Sequence, residues 1–445
     1  MIQYDLILAV FIGVSVLLGL VLWVRIQAFI SLLIASLVVG FIAGLDPQTI
    51  IGSIQQGMGG TLGFVATVVG LGAIFGAILE HSGGAQSLAS FLLRKFGDRN
   101  APWAMVLTGF LVAIPVFFDV AFIILVPIVY ALQRKTGKSL LLYGLPLLAG
   151  LAITHSFIPP TPGPIAVAEI IGADLGSVIL IGFAVGIPTA FIAGPLFSRF
   201  IAEKIFIPAP KENQDVMRDS AKPPGIGLIM AIIGIPIILI VINTIGSNLP
   251  ALAGSRLLNT IQLVGHPFTA LIIANIAAWY FLGLRRGVNR NTLFQMSSDS
   301  LNTAGTIILL TGAGGAFKQL LVDTGAGKMI AEAMSASGVP ILIFAFLVAA
   351  IVRVLQGSAT VAMITAAGLT APIVSPGTGE MEKALMVIVI ASGATILSHV
   401  NDSGFWLVNR YLGLTEKQTL QSWTVMESII ALCGLIFCLI LGLLV

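Results

Sequence analysis

The sequence predicts an all-α integral membrane protein of two inverted-topology repeats, with about ten crossings, two re-entrant helical hairpins and two broken helices. Three observations predict it. Apolar residues make up 57% of the chain and charged residues only 9%, with a mean hydropathy of +1.06, too few polar groups to cover a water-facing surface. Apolar runs of spanning length recur from end to end. The same features also return about 242 residues later. Phe75-Gly76-Ala77-Ile78-Leu79-Glu80-His81-Ser82-Gly83 falls on Phe317-Lys318-Gln319-Leu320-Leu321-Val322-Asp323-Thr324-Gly325, Gly70 and Gly72 fall on Gly312 and Gly314, and Thr154-His155 meets Ser398-His399 at an offset of 244. Each half makes five net crossings, an odd number, so the second lies inverted relative to the first.

The predicted crossings lie at about 4–24, 28–45, 57–79, 140–168, 176–198, 225–245, 266–284, 299–321, 383–408 and 422–445. The first has no basic leader and no small-residue cleavage site, so it is expected to be retained rather than removed as a signal peptide. Residues 103–132 and 339–374 are each too long for one crossing and carry punctuation near the middle, Pro-Val-Phe-Phe-Asp at 115–119 and Gln-Gly-Ser-Ala-Thr at 356–360. Both read as hairpins with the punctuation at the tip. Two crossings are interrupted: 140–168 by Pro159, Pro160, Pro162 and Pro164, and 383–408 by Ser398-His399-Val400-Asn401-Asp402-Ser403-Gly404. Proline removes a backbone donor and clashes with the preceding turn, so no continuous helix passes the first break. The first repeat is therefore 1–203, the second 225–445, and the polar, proline-containing stretch 204–224 is a cytoplasmic linker.

Charge placement fixes the expected orientation. With both termini outside and both hairpins re-entrant, 17 of the 22 Lys and Arg residues fall on the inside, and only Arg256, Lys328 and Lys383 fall in outside loops. Counting either hairpin as one crossing inverts every later loop and destroys this bias. A net charge of +3, without a basic tract, gives no reason to expect nucleic acid as a partner. Cys433 and Cys438 share an apolar run, point in different directions and read as packing or lipid-facing residues; no metal or other cofactor is expected.

Ionisable residues inside the membrane are costly and by default mark a pathway. Asp119, His155, His399 and Asp402 stand at the punctuation points, and Arg353 stands just before the second tip. Two tips and two breaks from inverted halves should converge near the midplane, where helix N-termini offer N–H groups to an anion. His155, Ser156, Thr161, Arg353, Ser358, Thr360, Asn401 and Ser403 are the candidate substrate-binding residues, and Asp119, His155 and Asp402 the candidate proton carriers, Asp119 first. Plainer readings stand beside these: Asp119, Ser358 and Thr360 as helix caps, His155 as a partner for carbonyls freed by the prolines, His399 and Asp402 as a structural pair, and Arg353 as a counter-charge to Asp119. The pattern points to a secondary active transporter of a small hydroxylated anion. A cation/proton antiporter is the nearest rival, while an embedded enzyme lacks a nucleophile constellation, an HExxH or a GxSxG pattern.

At His-Ser-Phe-Ile-Pro-Pro-Thr-Pro-Gly-Pro (155–164) the sequence resembles the gluconate permease family of sugar-acid:proton symporters, which also includes D-serine permeases. Gly-Gly-Thr-Leu-Gly-Phe (59–64), Phe-Phe-Asp (117–119), Ala-Asp-Leu-Gly (173–176), Ala-Gly-Pro-Leu-Phe (193–197), Gly-Ala-Gly-Gly-Ala-Phe (312–317), Gly-Ser-Ala-Thr-Val-Ala (357–362) and Asp-Ser-Gly-Phe-Trp-Leu-Val (402–408) extend the resemblance over nearly the whole chain. It implies proton-coupled uptake of gluconate or a related hydroxy-carboxylate across a bacterial inner membrane, in a homodimer of the wider ion-transporter superfamily. The chain departs from the pattern at Thr161 and Asp119, where gluconate members often carry His and Glu.

Overall fold

The computed structural model describes residues 2–210, 224–247, 249–326, 329, 339–375 and 377–444, and among these every regular element is helical. The first half holds α1 (Ile2–Gly19), α2 (Ala28–Ile42), α3 (Pro47–His81), α4 (Gly84–Phe96), α5 (Ala101–Val112), α6 (Phe118–Thr136), α7 (Leu141–Phe157), α8 (Pro162–Ile171), α9 (Leu175–Phe191) and α10 (Phe197–Lys204). The second holds α11 (Ile226–Ser247), α12 (Arg256–Gly265), α13 (Pro267–Ala278), α14 (Arg290–Asp323), α15 (Ile341–Gln356), α16 (Ala359–Thr370), α17 (Glu380–Thr395), α18 (Ser403–Leu412), α19 (Glu416–Thr419) and α20 (Val425–Gly442). Seven helical stretches among the described residues are long and apolar enough to cross a membrane, and further apolar helices such as α2, α15 and α16 are shorter. Residues 211–223, which include Lys211, Arg218 and Lys222 of the expected linker, and Lys328 lie outside the described residues.

Two long helices form the spine, and both start about ten residues before the apolar run that predicts them. Asp46 caps α3 by accepting from the Gln48 and Thr49 amides, with Pro47 at the first helical position, and the Thr49 hydroxyl bond holds its carboxyl below the usual range. Asn289 caps α14 by accepting from the Asn291 amide. Apolar length thus marks where α3 and α14 meet lipid, and the caps mark where they begin. The helices touch backbone to backbone: a Cβ on Gly57 would lie 2.5 Å from the Gly315 carbonyl oxygen, and one on Gly315 2.6 Å from that of Gly57. Farther along, Gly312 meets Leu62 and Gly70 meets Leu301, so the two run antiparallel. The centre of that register lies near Val65 and Ile307, residues that the 242-residue offset makes equivalent.

The hairpins and broken helices surround this spine. A Lys135–Asp98 ion pair of 2.7 Å closes the base of the α5–α6 pair, so the chain enters and leaves that pair on one face. On the same face the Tyr130 hydroxyl donates to the Tyr411 carbonyl at 2.5 Å, which sets the end of α18 beside the end of α6. On the opposite face Glu380 accepts from the Asp174 amide at 3.0 Å, which sets the start of α17 beside the end of α8. The α7–α8 and α17–α18 pairs therefore run in opposite directions. In each half a glycine presses the first piece of the broken helix onto the first hairpin arm: a Cβ on Gly150 would lie 2.2 Å from the Val106 carbonyl oxygen, and one on Gly393 2.4 Å from that of Phe346. Besides the four-residue α19, two elements have no counterpart in the sequence reading, α4 and α12. Both are short and amphipathic; α4 buries Leu88, Ala89 and Leu92 and turns Arg94 and Lys95 outward.

Candidate functional site

The first tip forms because the chain cannot stay helical through Pro115; α5 ends at Val112 and α6 opens at Phe118, with Asp119 in its first turn. Phe117, not Asp119, occupies the capping position, so the capping reading of Asp119 is corrected. The second tip turns at Gly357, whose φ of +88° suits glycine, and a Cβ there would lie 2.3 Å from the Asn401 carbonyl oxygen. Ser358 then caps α16 by accepting from the Val361 amide at 3.4 Å. The first break spans 158–161 and the second 396–402.

The two tips, the second break and the end of α7 just before the first break meet around a cavity of about 500 Å³. It is lined by Phe117, Phe118, Asp119 and Val120 from the first tip, by His155 and Ser156 from the last turn of α7, by Arg353, Ser358 and Thr360 around the second tip, and by Asn401, Asp402 and Ser403 at the second break. The N-terminal turns of α6, α16 and α18 all open onto it.

Thr161 is the exception among the sequence-predicted residues. It lies buried away from this lining, and its hydroxyl donates to the Ile158 carbonyl at 2.6 Å, closing the proline break on itself. The side chain is consumed by the turn the prolines demand.

Charge in the cavity is arranged asymmetrically. Arg353, 4% exposed, pairs with Asp402 at 2.5 Å and also donates to the Gly357 carbonyl, leaving its Nε–H without an acceptor among the described residues. Asp402 caps α18 by accepting from the Gly404 amide at 3.0 Å and accepts a further bond from the Ser398 hydroxyl, which is itself held by the Trp423 indole N–H at 2.6 Å. One expectation is corrected and another narrowed here. Arg353 neutralises Asp402, not Asp119; His399 and Asp402 pair through the backbone, the Asp402 amide donating to the His399 carbonyl at 2.9 Å, while the His399 ring sets its Nδ1 3.0 Å from the Leu397 carbonyl oxygen. Asp119 is exposed to the cavity and has no hydrogen-bond partner among the described residues. His155 packs its ring beside Phe117 and Phe118, and its buried Nδ1 also has no partner among the described residues. Asn401 donates to the Val354 carbonyl at 3.0 Å, tying the second break to the hairpin arm.

Among the lining residues that escape the sequence reading, Trp423 stands just before α20 and Glu427 in its first turn, and Glu427 is 4% exposed with Oε1 unpartnered among the described residues. The signal was present, a carboxylate five residues inside the apolar run 422–445, but the reading followed interruptions in helices, and α20 has none there.

A profile described as the GntP family permease matches residues 5–444. The gluconate permease of Bacillus subtilis is 39% identical over 443 residues, covering 97% of this chain and 98% of its own. The Gnt-II system L-idonate transporter of Escherichia coli is 40% identical over 428 residues, covering 95% of this chain and 96% of its own. Among solved structures, the YdaH transporter of Alcanivorax borkumensis, described as having an unusual topology, shares the fold with a TM-score of 0.64 at 16% identity, over 93% of this chain and 98% of its own.

Proposed function

The chain belongs to the GntP permease family, and on that premise we propose that it takes up gluconate or a related hydroxy-carboxylate together with protons across a bacterial inner membrane. The relatives' names support the substrate class. One observation carries the coupling: the cavity sets three carboxyls, Asp119, Asp402 and Glu427, against one guanidinium, Arg353. Three helix N-termini and Arg353 attract an anion, but two uncompensated carboxylates repel it. An anionic substrate is accommodated when one of those carboxyls carries a proton, so substrate and proton favour each other's binding. Asp402 is committed to Arg353, which leaves Asp119, first in the sequence reading, and Glu427 as the acids free to do this. Ser156, Thr360 and Ser403 line the same space and suit the substrate hydroxyls. The convergence of helix N-termini, positive ends all, also speaks against a site for a bare cation.

Reconstitution into proteoliposomes tests this reading. An acid-outside pH gradient should drive labelled gluconate above its equilibrium level, and a protonophore should release it. Exchange that ignores the gradient would remove the coupling, and absence of gluconate counterflow would remove the substrate class.

A further inference from the structure

We propose that Glu427, rather than Asp119, is the acid that holds the transported proton. The inference rests on the symport reading above and identifies the residue within it. Glu427 sits in the first turn of α20, lines the cavity and is 4% exposed, with Oε1 receiving no hydrogen bond among the described residues. A carboxylate so enclosed, with no cation bonded to it, is poorly solvated, whereas the neutral acid fits without a partner. The one guanidinium lining the cavity is engaged with Asp402 and Gly357, yet it keeps a buried Nε–H without an acceptor among the described residues. The cavity thus holds an acid lacking a donor and a cation with a donor to spare. That is the pairing expected of a site that exchanges partners between two arrangements.

The surroundings of Glu427 narrow its possible partners. Arg353 on α15, Asp402 at the start of α18, Asp119 on α6 and His155 on α7 share its cavity, with Thr395 of α17 and Trp423 of its own segment as the uncharged polar neighbours. The α9 helix, which also packs on α20, carries no ionisable residue. Asp119, by contrast, stands open to the cavity, so it answers to the water there whichever partner Arg353 takes. Nor does the fold require an acid at this place. Offsets of 241 to 244 residues put Phe183, Ala184, Val185 or Gly186 at the equivalent position of the first repeat.

In the arrangement seen here Glu427 carries its proton while Arg353 holds Asp402. An anion bound beside it keeps the proton in place through like-charge repulsion. After the anion leaves, the Glu427 O–H bond breaks, the proton passes to cavity water, and the carboxylate is taken up by the spare N–H of Arg353.

Binding of labelled gluconate to the purified full-length protein across a range of pH decides the matter. In the unaltered protein the Kd should rise about tenfold per pH unit on its alkaline limb, one proton bound with each anion. The slope should vanish in Glu427→Gln and persist in Asp119→Asn. A slope retained in Glu427→Gln, or lost in Asp119→Asn alone, overturns the assignment. Should Glu427→Gln fail to fold, Glu427→Asp decides: its slope should persist with a displaced midpoint, and an undisplaced midpoint overturns the assignment. An unaltered protein that binds gluconate with no slope, or not at all, fails the symport reading itself and is distinguishable from either result.

Discussion

At the scale of single residues, Arg353 concentrates the most chemistry. Its planar fork reaches the Gly357 carbonyl and Asp402 at once, and so bridges the second hairpin tip and the second helix break. An ammonium at that place reaches one partner or the other but cannot span both. Arg353→Lys should therefore raise the gluconate concentration for half-maximal uptake, while Arg353→Ala, which strands the half-buried Asp402, should cost roughly 3 kcal/mol of stability. Uptake kinetics for the first and detergent-solubilised unfolding for the second check the pair of outcomes. Much of this site is legible in the sequence, because Asp119, His155 and Asp402 are polar residues at places where apolar helices cannot continue. Thr161 is legible only in position: that prolines open a break is readable, but that the break recruits Thr161 to close its own turn depends on side-chain geometry. Glu427 escapes for the converse reason, since an uninterrupted helix delivers it to the cavity.

Among the elements, close backbone contact does the positioning. Gly150 against Val106 and Gly393 against Phe346 are equivalent joints in the two halves, and each holds a hairpin arm to the broken helix that shares its half. Alanine at either place drives a methyl group into a carbonyl oxygen that belongs to a packed helix and cannot swing aside. Gly150→Ala and Gly393→Ala should each cost about 1–3 kcal/mol, seen as a lower thermal unfolding midpoint, whereas Gly59→Ala, facing open space on α3, should leave it unmoved. The hairpins and breaks themselves are readable from proline, glycine and polar punctuation. The short helices α4 and α12 are not, because an amphipathic segment of 13 or 10 residues falls below the length of a crossing and so gives no spanning signal.

For the whole molecule, the ion pair at Asp98–Lys135 and the Tyr130–Tyr411 bond gather one set of ends on one face, and the Asp174–Glu380 contact gathers another set on the other. Basic residues crowd the first of these faces, the one that the positive-inside bias leads us to expect on the cytoplasmic side. Single cysteines in place of exposed Lys138 and Asn291 should then resist an impermeant thiol reagent in intact cells, and one in place of exposed Arg256 should react. Labelling at Lys138 from outside would reverse the orientation or unfold the first hairpin into a crossing. The charge count of the central cavity has a further consequence on this scale. If each monovalent anion travels with one proton, loading adds no net charge to the site, which then crosses the bilayer with the same charge full or empty, and the voltage of the membrane does no net work over the cycle. Accumulation would then follow the difference in acidity alone, so a cell with a collapsed membrane potential but an acidic exterior would still fill.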